Sequence, residues 1–538
     1  MAPFALTLKH AGKTYQLPDF DPSESALAFK DKVYHLTGVP VERQKIPAGK
    51  GGMLKDDADL SKLGFKEGQT VMVIGPAGPI PQAPSKPIVF MEDMTDIELA
   101  QSATYPVGLT NLGNTCYMNS TVQVLRAIPE LQTALNDSQG SAAHPDTHLT
   151  NSLRDLYKNM GKTTEGFPPL AFLGMLRQFA PQFAERSRQT GQYAQQDAQE
   201  AWGAIVQAVK SAAVGNGGSF VDQYLTGEFE KTLKSDEAPE EPATTSKERF
   251  LELKCNISSS TNYLMQGLTE SMEQEMEKNS PSLGRQAVYK ETTRVSRLPS
   301  YLTVNLVRFY WRREIGKKTK IMRKVKFPFD LDASELATDD LKAKLGPVNE
   351  KLKDFDKDRR ERAKTRRKVR SKVEAKQAAA SSSSSAPAPV AASGADDPPE
   401  PMLVDDAATA AKDGKEIAGE LPDEETKRQE ELAILTSLVH PDLEADQGAN
   451  VSGLYELVGV VSHKGASADG GHYIAWCAAS RNKDSSEPAW DEDPDKQEWF
   501  RFDDDKVTLV PKEKILALEG GGEDHSAYIL LYKSKALA

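Results

Sequence analysis

The residue with the clearest chemical potential is Cys116, in the stretch GLTNLGNTCYMNSTVQVL that runs from Gly108 to Leu125. It stands where a glycine- and asparagine-rich turn gives way to a helix-like run. A free cysteine has a pKa of about 8.5, so only about 3% of it is thiolate at pH 7. A helix N-terminus or a neighbouring imidazolium lowers that pKa. Cys116 is therefore a candidate nucleophile that needs a histidine partner, and the alternative is a buried structural cysteine.

A suitable histidine lies far downstream, in SADGGHYIAW, where two glycines precede His472. The glycines permit close backbone approach, and the alternating residues after His472 predict a strand that would fix the ring. Farther on, WFRFDDDKV supplies three consecutive carboxylates that begin at Asp503. A Cys-His-Asp set makes Cys116 the nucleophile and His472 the general base, with Asp503 orienting the imidazole. Because the three residues are scattered along the chain, only a fold can bring them together.

Several stretches around these residues form an ordered series that resembles the ubiquitin-specific proteases. The series covers about residues 106–533 and consists of GLTNLGNTCYMN, GQYAQQDAQEAW, LPSYLTVNLVRF, VKFPFDLD, GGHYIAW and WFRFDDDKV. The resemblance implies an α+β, papain-like catalytic domain over residues 105–535, with a helical thumb and a β-rich palm and fingers. Helical patterns up to about residue 215, followed by strand patterns that include residues 249–257, 302–310 and 472–478, suit that arrangement. The implied activity is thiol-dependent hydrolysis of the isopeptide bond after the C-terminal Gly-Gly of ubiquitin.

The same resemblance implies roles for further residues. Asn111 matches the family's oxyanion donor, and its amide would act together with the Cys116 backbone N–H. Asp197 matches a residue that contacts the basic ubiquitin tail, and Tyr473 matches one that lines the tail channel. Asn111 could instead be only a turn residue, and Asp197 only a carboxylate on a helix surface. Where many family members carry paired CxxC motifs for zinc, this chain has Cys255 alone, so we predict no metal and no cofactor.

The first 76 residues resemble ubiquitin itself. Strand patterns at 4–8, 14–17 and 70–74 flank a helix-like run that starts near Ser23 and closes at Gly38, which predicts a β-grasp domain. It ends in Ile74, Gly75 and Pro76 without a Gly-Gly tail, so we expect a fixed docking domain. The proline-rich residues that follow predict a linker over 77–104.

A ubiquitin-like domain ahead of the protease domain makes the chain similar to the proteasome-associated member of the family. This similarity implies two partners, ubiquitin conjugates and the 26S proteasome regulatory particle, the latter bound through the ubiquitin-like domain. An N-terminal domain that only stabilises the fold is the alternative. In the same relative, surface loops at the positions of residues 311–324 and 463–471 cover the tail channel until ubiquitin and the proteasome are engaged.

Composition excludes other classes of function. The 538 residues carry a net charge of -12, which argues against a nucleic-acid binder because phosphate contacts need a basic field. The sequence begins without a signal peptide and contains no long apolar run, so we expect no membrane association and a cytoplasmic or nuclear location. Three widely spaced cysteines, Cys116, Cys255 and Cys477, agree with a reducing compartment.

One region departs from the globular pattern. Residues 351–376 contain thirteen basic and five acidic side chains, whereas residues 396–431 contain thirteen acidic and four basic ones. Such polar segments bury too little apolar surface to offset the backbone entropy of folding. We therefore expect residues 364–425 to be a low-complexity, disordered insertion in which the basic arm can form a solvated helix. The basic arm could pair with the acidic arm, bind a partner or serve no purpose.

Two alternatives to a deubiquitinase remain open at this point. A catalytically inactive relative could keep the fold and regulate the proteasome by binding ubiquitin, although such a protein would be expected to lack Cys116, His472 or Asp503. An active protease could also act on another modifier that ends in Gly-Gly, because contacts with the tail alone do not separate close relatives of ubiquitin.

Overall fold

The computed structural model describes most of the chain: residues 3–48, 52–76, 105–137, 145–187, 190–212, 219–312, 317–382, 423–467, 470–479, 497–522 and 524–537. The chain divides into two compact units, Met1–Met94 and Thr95–Ala538. The predicted linker, residues 77–104, lies outside the described residues.

The first unit has the predicted β-grasp fold. Its elements are β1 (Phe4–His10), β2 (Lys13–Phe20), α1 (Ala26–Thr37), β3 (Pro47–Ala48), β4 (Gly52–Met53) and β5 (Thr70–Met72). Strand β1 is central, antiparallel to β2 and parallel to β5. Helix α1 begins after Ser25, whose hydroxyl accepts the Ala28 N–H, and ends at Gly38 in the left-handed conformation. The helix therefore begins three residues later than Ser23, where the sequence pattern first turns helical.

A helical lobe opens the second unit, as the sequence predicts. It consists of α2 (Cys116–Arg126), α3 (Pro129–Asp137), α4 (Pro145–Met160), α5 (Leu170–Phe179) and α6 (Ala198–Ser211). All residues of α2 from Cys116 to Leu125 are buried, because the helix packs against α6 on one side and the large sheet on the other. The nucleophile candidate thus starts the most enclosed helix of the lobe.

The large sheet supplies the second wall of the site. Its main path runs β18 (Lys506–Pro511), β17 (Glu498–Asp503), β16 (His472–Ala478), β15 (Leu454–Lys464), β19 (Ser526–Ser534), β11 (Tyr301–Val307) and β8 (Leu253–Asn256). Strand β14 (Asp330–Asp332) pairs with β15 off this path. Strands β16 and β17 are antiparallel, with Ala475 opposite Phe502, so His472 and Asp503 come close together at one edge of the pair.

Two strands predicted as continuous are each broken into two. The predicted strand 249–257 splits between β7 (Thr244–Phe250) and β8, which belong to different sheets. The predicted strand 302–310 splits at Arg308 into β11 and β12 (Phe309–Arg312), and β12 pairs with β13 (Lys317–Lys320). Arg308 is fully buried, and its guanidinium donates to the backbone carbonyls of Ile321, Arg323, Glu519 and Ala527. These four hydrogen bonds compensate for the burial of the Arg308 guanidinium, and the chain turns at this residue.

A second sheet forms the fingers and is closed at its tip by a carboxylate. Its order is β7, β6 (Gly227–Lys234), β10 (Gln286–Arg297) and β9 (Glu273–Asn279). At the tip, Glu241 accepts hydrogen bonds from the hydroxyls of Ser280, Ser282 and Tyr289. These bonds, with one from the Ser282 N–H, lower the pKa of Glu241 to about 2. The carboxylate therefore ties together the loop between β6 and β7 and the loop between β9 and β10.

We expect Glu241→Gln to loosen the fingertip without unfolding the protein. The amide accepts fewer and weaker hydrogen bonds, so backbone exchange in residues 235–243 and 280–285 should quicken at pH 7, as hydrogen-exchange mass spectrometry would report. In the parent, a lowered pKa stabilises the folded form above about pH 4.5, and that contribution is lost as the pH falls towards 2. Glu240→Gln is the control. Equal exchange in the parent and both variants would show that Glu241 does not tie the two loops together.

The described ends of the charged insertion predicted over 364–425 are helical, and the basic arm lies in the first of the two helices. Helix α8 runs from Asp339 to Ser382, and α9 (Glu424–Leu438) takes up the last two residues of the predicted insertion. The basic and acidic arms pair: Arg359 binds Glu431 at 2.6 Å, and both side chains are about 6% exposed. Arg362 bridges Glu424 and Glu431. These buried pairs and the packing of Leu352 against Leu435 hold the helices together; residues 383–422 lie outside the described residues.

Three short helices complete the catalytic unit. They are α7 (Leu264–Ser271), α10 (Pro441–Ala445) and α11 (Glu513–Leu516). None of the helices in the described parts of the chain combines the length and apolar character needed to cross a bilayer.

Candidate active site

The loop before α2 is shaped to present Cys116 at the first position of the helix. Gly113 and Asn114 both have positive φ, at 96° and 54°, which suits glycine and asparagine. The Asn111 side-chain oxygen accepts the backbone N–H groups of Gly113 and Thr115 at 2.9 and 3.3 Å. This turn directs Cys116 towards the large sheet, where unpaired N–H groups of the helix start provide positive potential.

The Cys116 thiol is almost enclosed, with 2% of the residue exposed. Its sulfur accepts a hydrogen bond from the Gln195 side-chain nitrogen at 3.2 Å and one from the Tyr473 backbone N–H at 3.5 Å. Apart from its place in the QQD segment, nothing in the local sequence distinguishes Gln195, because only the fold brings it to Cys116.

His472 stands between the thiol and a carboxylate. Its Nε2 lies 2.6 Å from Asp503 Oδ1, and Arg501 donates to the other oxygen of Asp503, also at 2.6 Å. A hydrogen bond with Cys116, followed in importance by the one with Asp503, outweighs burial and raises the pKa of His472 to about 9. Burial raises the pKa of Asp503, but the bonds from His472 and Arg501 outweigh it and leave that pKa lowered. The structure thus brings the three predicted residues together.

Asp504 does not substitute for Asp503 but joins the two walls of the site. Its φ is 54°, and its two oxygens accept the side-chain amides of Asn111 and Asn119, each at 2.8 Å. The Leu109 N–H donates to its carbonyl at 2.9 Å. Asp504 therefore uses one of the two amide hydrogens of Asn111 and leaves the other for a ligand.

The two residues assigned to the ubiquitin tail lie next to one another but differ in exposure. Asp197 is half-buried and caps α6 by accepting the Gln199 N–H, and Tyr528 donates to both of its oxygens at 2.8 and 2.9 Å. Tyr473 is 1% exposed, and its ring stacks at an angle on His463 and Tyr528. Asp197 is thus more than a carboxylate on a helix surface.

Family comparisons agree with this geometry. The model named Ubiquitin carboxyl-terminal hydrolase matches residues 107–532, and the Ubiquitin family model matches residues 6–76. The chain belongs to the ubiquitin carboxyl-terminal hydrolase family. The chain is therefore a cysteine-type deubiquitinase with an N-terminal ubiquitin-like domain.

Relatives from several organisms match over nearly the whole chain. Ubiquitin carboxyl-terminal hydrolase 6 of Schizosaccharomyces pombe is 41% identical, covering 99% of both chains. Ubiquitin carboxyl-terminal hydrolase 6 of Arabidopsis thaliana is 36% identical, covering 96% of both. Ubiquitin carboxyl-terminal hydrolase 14 of Caenorhabditis elegans is 31% identical, covering 96% of this chain and 91% of the relative. The family assignment therefore applies to both units.

In this hydrolase the two loops singled out in the sequence contact one another. Lys320 donates from its side chain to the His463 carbonyl at 2.7 Å and from its backbone to the Ala466 carbonyl at 3.2 Å. Thr319 and Ser467 form an isolated β-bridge. Lys320 is 4% exposed, and burial lowers its pKa to about 8. Residues 313–316 and 468–469 of these loops lie outside the described residues.

Within the described residues, one group has the geometry to hold a metal ion: His472, Asp503 and Asp504. All four of its carboxylate oxygens already accept hydrogen bonds, from His472, Arg501, Asn111 and Asn119. These hydrogen-bond donors suit a site for acid–base catalysis. That the hydrolase needs no metal ion stays a prediction.

Proposed function

We propose that this deubiquitinase uses Cys116 as its nucleophile, His472 as its general base and Asp503 to hold the imidazole. The carrying observation is the position of His472, which is hydrogen-bonded to Asp503 at 2.6 Å and precedes Tyr473, whose backbone N–H donates to the Cys116 sulfur at 3.5 Å. A thiolate beside an imidazolium is the state from which cysteine proteases attack.

The proposed reaction has two stages. The Cys116 sulfur attacks the carbonyl carbon of the last ubiquitin glycine, and negative charge moves to the carbonyl oxygen. Asn111 and the Cys116 backbone N–H donate to that oxygen. The imidazolium of His472 then gives its proton to the departing lysine amine, which leaves a thioester. In the second stage neutral His472 takes a proton from water, which attacks the thioester, releases ubiquitin and regenerates the thiol.

We further propose that Asp197 and Tyr473 bind the ubiquitin tail. Two glycines at the cleavage site imply a channel too narrow for side chains, and Tyr473 lies beside the reacting cysteine, to whose sulfur its backbone N–H donates. The half-buried carboxylate of Asp197, held by Tyr528, suits a basic residue of the tail.

Finally, we propose that the enzyme works on the 26S proteasome, in the cytoplasm and nucleus, and trims ubiquitin from bound substrates. Two features support this proposal. The N-terminal domain resembles ubiquitin but ends without the Gly-Gly needed for conjugation. The loops 311–324 and 463–471 contact one another through Lys320, and in the proteasome-associated relative such loops cover the tail channel.

Hydrolysis of a ubiquitin–fluorophore conjugate, measured with and without 26S proteasomes, tests this setting. We expect proteasomes to increase the rate by about tenfold or more, the scale of a typical allosteric coupling. A variant lacking residues 1–76 should keep the basal rate of the free enzyme and lose most of the increase at low proteasome concentration. Equal rates with and without proteasomes would reject regulation by the proteasome while leaving the hydrolase assignment intact.

A further inference from the structure

Gln195 is a polar side chain that contacts the reacting atom but has no role in the mechanism above. Its Nε2 lies 3.2 Å from the Cys116 sulfur, within range for a hydrogen bond to sulfur. The side chain is partly buried in the wall that faces the sheet. A carboxamide N–H at this distance is a better donor to a thiolate than to a thiol, because hydrogen bonds to charged acceptors are stronger.

The backbone on the N-terminal side of Gln195 is held in place. The Asn114 side chain donates to the Tyr193 carbonyl at 2.9 Å, which ties this segment to the loop that presents Cys116. The Tyr193 ring is also covered by two guanidiniums, those of Arg177 and Arg186, at 3.4 and 4.6 Å from its centroid. The residue two positions before Gln195 is thus fixed by both its backbone and its ring.

The C-terminal side is equally constrained. Asp197 starts helix α6 as its N-cap, and the Tyr528 hydroxyl donates to both oxygens of that carboxylate. With anchors two residues before and two residues after it, Gln195 loses little further freedom when it donates to the sulfur. A donor held in advance costs no reorganisation during the reaction.

The surroundings of the sulfur also indicate which form it binds. Two donors converge on the Cys116 sulfur, the Gln195 amide and the backbone N–H of Tyr473, the residue next to His472. A neutral thiol offers weak acceptor capacity, whereas a thiolate accepts several hydrogen bonds. The pocket is therefore complementary to negative charge on sulfur.

We propose that Gln195 is a further catalytic residue, which donates a hydrogen bond to the Cys116 thiolate and so increases the fraction of enzyme that is ready to attack at neutral and mildly acidic pH. This role rests on the proposed function of Cys116 as the nucleophile. Because the charge leaves sulfur during attack, the bond stabilises the resting thiolate more than the transition state, so it increases the ionised fraction and does not speed the attack of an enzyme that is already ionised.

The pH dependence of Cys116 alkylation by iodoacetamide tests this role. Peptide mass spectrometry would follow modification of Cys116 in the full-length chain between pH 5.5 and 9.5. In Gln195→Leu we expect alkylation to slow about tenfold or more at pH 6 and to come within about twofold of the parent at pH 9.5. kcat/KM for ubiquitin–fluorophore hydrolysis should show the same pattern.

Two further variants complete the design. Gln196→Leu changes the adjacent glutamine in the same way and should follow the parent at every pH. Gln195→Glu keeps the shape of the side chain but replaces a donor with a carboxylate, so it should react more slowly than Gln195→Leu at pH 7. It also provides a second test if the leucine variant misfolds.

Either of two results would overturn the role of Gln195. Parent-like alkylation of Gln195→Leu and Gln195→Glu at pH 6 would show that the bond does not affect the thiolate. An equal loss at pH 6 and pH 9.5 would show that the residue only maintains the structure. A different result would show that Cys116 is not the nucleophile. In that case Cys116→Ala would retain ubiquitin hydrolysis, whatever the effect of the Gln195 variants.

Discussion

Replacing Cys116 with alanine should abolish hydrolysis of ubiquitin conjugates, with kcat falling at least about 10⁴-fold. Loss of the nucleophile in a triad typically removes nearly all the catalysis that the triad provides. The change deletes one sulfur from a nearly closed pocket, so the fold and the affinity for ubiquitin should remain. Ubiquitin carrying a C-terminal electrophile should form a covalent adduct with the parent and none with Cys116→Ala, as intact-protein mass spectrometry would show.

The matched control for this experiment is another buried cysteine. Cys477 is 5% exposed and lies in β16, five residues after His472, where burial raises the pKa of its thiol to about 12. A thiol with that pKa is inert at pH 7, so Cys477→Ala should label like the parent. Equal labelling of the parent and Cys116→Ala would overturn both the nucleophile and the proposed mechanism.

The second large effect is expected from Asp503→Asn, which should lower kcat by about 10³ to 10⁴-fold, as the equivalent change does in a Ser-His-Asp triad. Asparagine keeps the shape of the side chain but can present an N–H to the ring, so the imidazole loses its negative partner. Asp505→Asn, two residues away on an exposed side chain, is the control and should stay within about twofold of the parent. Similar losses in both variants would argue for a structural effect of the turn.

The same variant should change the pH profile in a defined direction. The raised pKa of His472, about 9, means that the imidazolium is retained below that value and lost as the pH rises through it. The hydrogen bond with Cys116 is the larger cause and that with Asp503 the smaller. Asp503→Asn should therefore move the alkaline limb of kcat/KM to lower pH. An unchanged alkaline limb would mean that Asp503 does not support the charge on His472.

Local patterns in the sequence were sufficient for the elements next to the catalytic residues. The run after His472 predicts a strand at 472–478, and β16 has these bounds. Gly38 marks the end of the helix in the ubiquitin-like domain through its own backbone preference, as predicted. Such features depend on neighbours along the chain, which is why a sequence alone reveals them.

Features that depend on distant partners were predicted poorly. Strand β9, EQEMEKN, is exposed along its whole length and lacks any apolar alternation, so only its pairing with β10 makes it a strand. Helix α8 continues into the predicted insertion because acidic residues about 60 to 70 positions later neutralise its arginines. Asp504 gains its contacts with Asn111 and Asn119 only when the two lobes meet, and Gln195 reaches Cys116 only when the helical lobe has folded.

The order of strands in the large sheet has a consequence for folding of the chain during its synthesis. The last strand, β19, does not lie at an edge but between β15 and β11, so the sheet that carries His472 is incomplete until Ser534 has been synthesised. Translation at about 5–20 residues per second places roughly 20–80 s between Cys116 and that strand. A nascent chain, or one truncated before Ser534, therefore carries the Cys116 thiol before the sheet that holds the proposed base is complete, so we expect proteolytic activity only after β19 has been added.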